Sequence, residues 1–384
     1  MRAQCRMLTA LAAGAVLLAG CSAEESGARP GDETSASAEG APSGSPTPTP
    51  SDDAVDDEAT PEAEVTDPET TDPEAEEEAE EEAEPPVRPV SVLGLAEQRH
   101  RGDRLRLGAV RERTPAYTSY DVTYRSRSTT GRGEESYTIS GVLNVPNGRG
   151  PFPAVVLAHG YIDPAIYVRG QGMTRERGYL AARGYVALHV DYRNHAESDD
   201  DPLFQVRMRL GYSADVINAV KALRASPDVP VDDDRVALFG RSMGGGVILK
   251  ALVAEPGLVQ AAAPWASVSS LEGQNYDQFI RPDPEDSGLQ QQLARRYGPP
   301  ERNPRFWREN SSRPYFDRIT EPVLMVHGRF DDTCPPRWAT ATQRALRQAG
   351  VSSQLAWYDD GHAFGPAFNA AMARTVRFFD RQLG

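Results

Sequence analysis

The sequence predicts an α/β fold: a mostly parallel central sheet with helices on both faces and a helical insertion late in the chain. Three observations carry this prediction. Short apolar runs at 152–158, 186–190 and 235–239 have the composition of buried parallel strands. They alternate with helix-prone stretches at the spacing of repeated strand–helix units. The run Val236-Ala237-Leu238-Phe239 then enters Gly240-Arg241-Ser242-Met243-Gly244, a G-x-S-x-G pattern, and an apolar helix-compatible run follows. Strand, tight glycine turn and helix form the context in which such a serine is lifted above a sheet as a nucleophile.

The N-terminus reads as an address and a tether. Arg2 and Arg6 precede the apolar stretch 8–18, which is too short to span a bilayer, and Leu18-Ala19-Gly20-Cys21 closes it. This ending resembles the bacterial lipobox. The resemblance implies cleavage after residue 20, lipidation of Cys21, and a protein held outside the cytoplasm on a membrane. Residues 22–90 are rich in Pro, Ser, Thr, Ala and acids, with almost no large apolar side chains, so a disordered and extended spacer is expected. Residues 22–87 hold 23 Asp and Glu against one basic residue, Arg29. The chain's formal charge of −15 therefore belongs to this stretch, and the body that follows is mildly basic. Net acidity is thus no sign of a cationic substrate, and no nucleic-acid partner is expected. With Cys5 in the signal and Cys21 at the lipid site, Cys334 stands alone, which excludes an internal disulfide in the mature chain. No histidine or cysteine cluster has metal-ligand spacing.

Residues 91–384 are sized for one α/β domain. Strands are expected at 117–124 and 136–145 as an antiparallel pair, with His100 lying before the fold. Then come strand 152–158, helix 174–183, strand 186–190, helix 204–225, strand 235–239, helix 244–254 and strand 259–263. The alternation resumes with strand 322–326, helix 336–348, strand 353–358 and helix 365–383. Between them, about 266–319, lies a helix-prone stretch, for example 287–297, placed where a cap would cover the site.

A serine nucleophile needs a base, and the base needs an orienting carboxylate. His362, in the loop Asp359-Asp360-Gly361-His362 after the last strand, is the candidate base. The carboxylate should follow strand 322–326, where Asp331 and Asp332 both stand. The chain order Ser, Asp, His then matches that of α/β-hydrolases. Two N–H donors must face the oxyanion: Met243, after the nucleophile, and Tyr161, in the loop His159-Gly160-Tyr161-Ile162. His159 is expected to hold that loop, His189 to sit in the core, and His195 to hydrogen-bond within its own loop rather than touch substrate.

The patterns G-x-S-x-G-G at Ser242, H-G-x-x-D at His327–Asp331 and Gly361-His362, together with Val190-Asp191-Tyr192-Arg193 and Pro314-Tyr315-Phe316, resemble the catalytic domain of prolyl-oligopeptidase-like serine hydrolases, with dienelactone-hydrolase and esterase-like relatives. The resemblance implies the α/β-hydrolase fold and assigns the acid to Asp331, leaving Asp332 solvated. Cys334 stands where that family usually has valine. It also implies acyl transfer through an acyl-enzyme, with no cofactor and no metal. Residues 22–116 carry no propeller repeat of the kind that precedes such peptidase domains, which favours a carboxylic ester over a peptide as substrate. The elbow also resembles that of cutinase-like polyester hydrolases. Three readings follow: an esterase acting on a small-molecule ester, a peptidase acting on short peptides, and an envelope lipoprotein with a vestigial site.

Overall fold

The computed structural model describes residues 87–131, 133–282 and 287–384. The signal peptide, Cys21, the tether up to residue 86 and part of the insertion lie outside the described residues. No helix among the described residues is long and apolar enough to cross a membrane.

Among the described residues nine strands form one sheet, in the order β1-β2-β3-β5-β4-β6-β7-β8-β9. The first three, β1 (Arg99–Arg113), β2 (Tyr117–Thr130) and β3 (Gly133–Pro146), pair antiparallel. β3 also pairs antiparallel with β5 (Val186–Val190). β4 (Phe152–Ala158), β5, β6 (Val231–Arg241), β7 (Ala261–Trp265), β8 (Val323–Gly328) and β9 (Ser353–Tyr358) run parallel. Alternate residues of the central strands feed two separate cores, as a period of two demands. Val156 and Leu238 pack into one core, Val155 and Phe239 into the other. Helices α1 (Val92–Ala96), α3 (Leu210–Arg224), α4 (Met243–Ala254) and α8 (Pro336–Gln348) contribute to the first. Helices α2 (Thr174–Ala181) and α9 (Phe368–Leu383) contribute to the second.

The sequence reading missed β1 and placed His100 outside the fold. His100 lies on β1 and is buried, its ring nitrogens 3.1 Å from Ser128 Oγ and 3.1 Å from the Leu95 carbonyl. β1 escaped notice because its outer half is exposed and rich in arginine. Such charge on an edge strand discourages pairing with another chain. The helix expected from 204 begins at Leu210, because Met208 and Arg209 adopt left-handed φ values of 55° and 54°.

After β7 the chain forms α5 (Glu272–Asn275), a π turn at Tyr276–Ile280, α6 (Ser287–Tyr297), α7 (Pro304–Glu309) and a 3₁₀ turn at Arg313–Arg318. Stacking of Tyr297 on Phe306, 3.9 Å between centroids, ties α6 to α7.

One buried ionic cluster joins the loop after β5 to α3. Arg193 grips Asp215 with both arms, Nη2 to Oδ1 at 2.9 Å and Nε to Oδ2 at 3.0 Å, and Ser126 donates to the same carboxylate at 2.8 Å. Asp215→Ala would leave a buried guanidinium without its main partner. A loss of about 3–5 kcal/mol is expected, measured as a lower urea midpoint; an unchanged midpoint would mean that the cluster carries no net stability.

Candidate active site

Ser242 ends β6 and precedes α4 in a strained conformation, φ 57° and ψ −121°. A non-glycine residue at positive φ costs of order 1–3 kcal/mol and persists only where its surroundings over-determine it. Here the Ser242 N–H donates to Trp265 O at 2.9 Å, and its carbonyl accepts from Gly245 N–H at 3.0 Å and Val268 N–H at 3.2 Å. The turn closes because Gly240 and Gly244 lack side chains. A Cβ on Gly240 would lie 2.3 Å from Gly244 O, and one on Gly244 would lie 1.9 Å from Ala158 O. The Met243 N–H opens α4, where the first N–H groups have no partner within the helix and the dipole is positive.

Asp331 and His362 come from the loops after β8 and β9. His362 Nδ1 lies 3.0 Å and 2.9 Å from the two Asp331 oxygens. The carboxylate is buried and also accepts from the N–H groups of Cys334 at 2.7 Å and Thr333 at 3.0 Å. His327 Nε2 donates to the Cys334 carbonyl at 2.9 Å, which fixes the far side of that loop. The two loops are also joined where Phe330 N–H donates to Asp360 O at 3.1 Å, and within the second loop Asp360 Oδ1 accepts from the N–H groups of Gly361 and Gly365. Asp332 is exposed. Ser242, His362, Met243, Gly160 and Tyr161 line one cavity of about 480 Å³.

The loop after β4 is held by imidazoles. His159 Nδ1 lies 2.6 Å from Gly160 O, and His195 Nε2 lies 3.2 Å from Ile162 O. The first of these carbonyls shares its peptide with the Tyr161 N–H, and the second belongs to the next peptide but one, Ile162–Asp163. Burial pushes the His159 pKa down to about 3, so at neutral pH its ring has one N–H for the carbonyls of Gly160 and Asp191, 3.1 Å away. His159 packs between Tyr167 and Tyr192, with centroids at 4.8 and 4.4 Å. Beneath it the buried Asp191 carboxylate accepts from Ser140 Oγ, Tyr167 OH and Gly170 N–H. His189 is buried beside Arg177, 3.1 Å away.

Sequence reasoning missed several lining residues. Met208 and Arg209 reach the cavity through their two left-handed residues, and the Arg209 guanidinium sits 4.9 Å from the Tyr161 ring centroid. No glycine or proline marks that turn in the sequence. Cys334 is buried in the loop after β8, and its backbone N–H is one of the donors to the Asp331 carboxylate.

Fold and site together define an α/β-hydrolase of the serine-hydrolase class. Residues 172–384 match the prolyl oligopeptidase family, and the chain belongs to that family. Dipeptidyl peptidase 4 of Felis catus is 28% identical over 201 residues, 49% of this chain and 24% of that protein. The uncharacterized peptidase YtmA of Bacillus subtilis is 24% identical over 225 residues, 56% of this chain and 82% of that protein. The chain thus matches only about a quarter of the length of the dipeptidyl peptidase. Among solved structures, the acetyl xylan esterase from Paenibacillus sp. R4 superimposes with a TM-score of 0.55 at 23% identity. That match covers 76% of this chain and 92% of the esterase, and it shows the shared fold.

Burial raises the Cys334 thiol pKa well above its ordinary value, with the Asp331 charge adding to the effect. The thiolate is the reactive form, so iodoacetamide at pH 7.5 is expected to leave the Cys334 peptide unalkylated and the activity of the native protein unchanged. Rapid alkylation of Cys334 with loss of activity would show that the thiol is open to solvent.

Proposed function

We propose that this chain is a serine hydrolase that cleaves a carboxylic ester through an acyl-enzyme. The carrying observation is that His362, hydrogen-bonded to the buried Asp331, shares a cavity with Ser242 on its strained turn. His362 Nε2 takes the Ser242 proton as Oγ bonds to the acyl carbon. The carbonyl becomes an oxyanion facing the N–H groups of Met243 and Tyr161. On collapse the ester C–O bond breaks, and the alcohol leaves with the proton held by His362. Water then repeats the sequence, releasing the acid and restoring Ser242. Asp331 fixes the imidazole tautomer and stabilises its charge. No step calls for a metal or an organic cofactor.

A peptidase reading rests on the names of two relatives, dipeptidyl peptidase 4 and the peptidase YtmA. An amide differs from an ester in its leaving group, an amine that must be protonated by His362. The same residues would serve, so the choice is one of substrate binding. We place residues 91–384 as the hydrolase domain, with 266–319 as its cap. Cys21 is its lipid anchor and 22–90 the tether, which puts the enzyme on the outer side of a bacterial membrane.

The decisive assay compares p-nitrophenyl acetate with X-Pro p-nitroanilides on the full chain. Ester turnover is expected, falling by at least about 10³-fold in Ser242→Ala and in His362→Ala, with silent anilides. Faster anilide cleavage would make it a peptidase. A folded protein that neither turns over substrate nor accepts a fluorophosphonate label would be the vestigial lipoprotein. For the anchor, Cys21→Ser is expected to move the protein from the membrane to the soluble fraction; unchanged membrane association would refute lipidation at Cys21.

A further inference from the structure

We propose that the cavity beside Ser242 is an acyl-chain pocket, and that the preferred substrates are esters of unbranched aliphatic acids of about eight to ten carbons. This rests on the serine-hydrolase reading above.

The cavity follows one face of a helix. Met243, Gly246, Val247 and Lys250 of α4 all line it, a spacing of three, four and seven that places them along a single stripe. Opposite stand Leu289 and Leu293, four apart on α6, with Ile280 of the π turn and Met208 before α3. Leu289, Leu293, Val247 and Met208 are all buried. The walls between the serine and the far end are therefore largely apolar, and suit a chain with no polar groups of its own.

Lys250, the lining residue of α4 farthest along the helix from Ser242, is buried and meets Glu272, also in the lining, at 2.8 Å. A longer chain would have to part this ion pair, leaving a charge buried without its partner. The helix sets the depth. Eight residues separate Ser242 from Lys250, about 12 Å at a rise of ~1.5 Å each. A staggered chain advances ~1.2 Å per bond, a third of an extended residue, so about ten bonds fill the space. The volume of 480 Å³ lies in the range of cavities that bury small ligands.

The cavity is walled from both sides of β6: by Met208, Arg209 and Ser213, which follow β5, and by Glu272, Ile280, Leu289 and Leu293, which follow β7. The leaving alcohol takes its proton from His362 and stays beside the base, and the acyl chain runs along α4 between these two walls. Large exposed apolar side chains stand on both loops that carry the site: Tyr161, Ile166 and Val168 on one, Phe330 on the other. They give an amphiphilic ester an apolar approach.

The test is a chain-length series of p-nitrophenyl esters, acetyl to palmitoyl, on the full chain in phosphatidylcholine vesicles. A common leaving group makes kcat/KM report the acyl side. Burial of each methylene predicts a rise of about threefold to fourfold per carbon, a maximum at eight to ten carbons, and a fall by palmitoyl. Leu293→Trp, and independently Val247→Phe, should lower decanoyl turnover at least about tenfold more than acetyl turnover, and so move the maximum to shorter esters. Fluorophosphonate labelling of Ser242 checks that each variant is folded. A profile flat or falling from acetyl, with Ser242-dependent turnover and labelling intact, overturns the acyl pocket and leaves the hydrolase reading standing. So does an optimum that neither labelled variant moves. Absence of Ser242-dependent turnover and labelling throughout overturns both.

Discussion

The structure depends on how closely three pieces of backbone approach at one point. Gly244 sits where any side chain would collide with Ala158 at the end of β4, and Gly240 sits where any would collide with Gly244. This contact fixes three things at once. It sets the left-handed turn at Ser242, aims the start of α4 at the site, and brings the Gly160–Ile162 loop against the serine, with Gly160 so close that a Cβ would lie 3.1 Å from Ser242 Cβ. The strain at Ser242 is held by bonds from β7 and from the chain after it, so the parallel sheet itself maintains the serine's position.

Around this point the protein buries several ionisable groups that are engaged. Arg193, Asp215, Asp191, His159 and His195 are each hydrogen-bonded to named partners. Their work is geometric. They tie the loops after β4 and β5 to the sheet and to α3 through satisfied buried polar networks, which hold one loop shape. Burial keeps His159 and His195 below their ordinary pKa, which makes them neutral spacers at physiological pH rather than competing bases.

Much of this was legible in the sequence. The parallel strands announced themselves because strands buried on both faces are apolar throughout, as Val155-Val156-Leu157 is. The serine turn was legible because its glycines answer a steric demand that no other residue meets. Asp331 and His362 could be read from their place after strand ends. What could not be read was set by tertiary context. β1 looks like a charged loop because its ladder is made of backbone bonds and its outward side chains meet water. The left-handed pair Met208 and Arg209 breaks no local rule that composition reveals. The walls of the cavity come from six separate stretches of chain, and their meeting is a property of the fold rather than of any segment.

The bonds between the loops after β8 and β9 have a mechanical consequence. Phe330 to Asp360, Asp331 to His362 and Arg329 to Tyr358 make Asp331 and His362 parts of one clasp. The clasp is anchored on β8 and β9, and the serine's turn on β6, with β7 as the one strand between them. The register of that strand against its two neighbours therefore sets the spacing between the clasp and the turn.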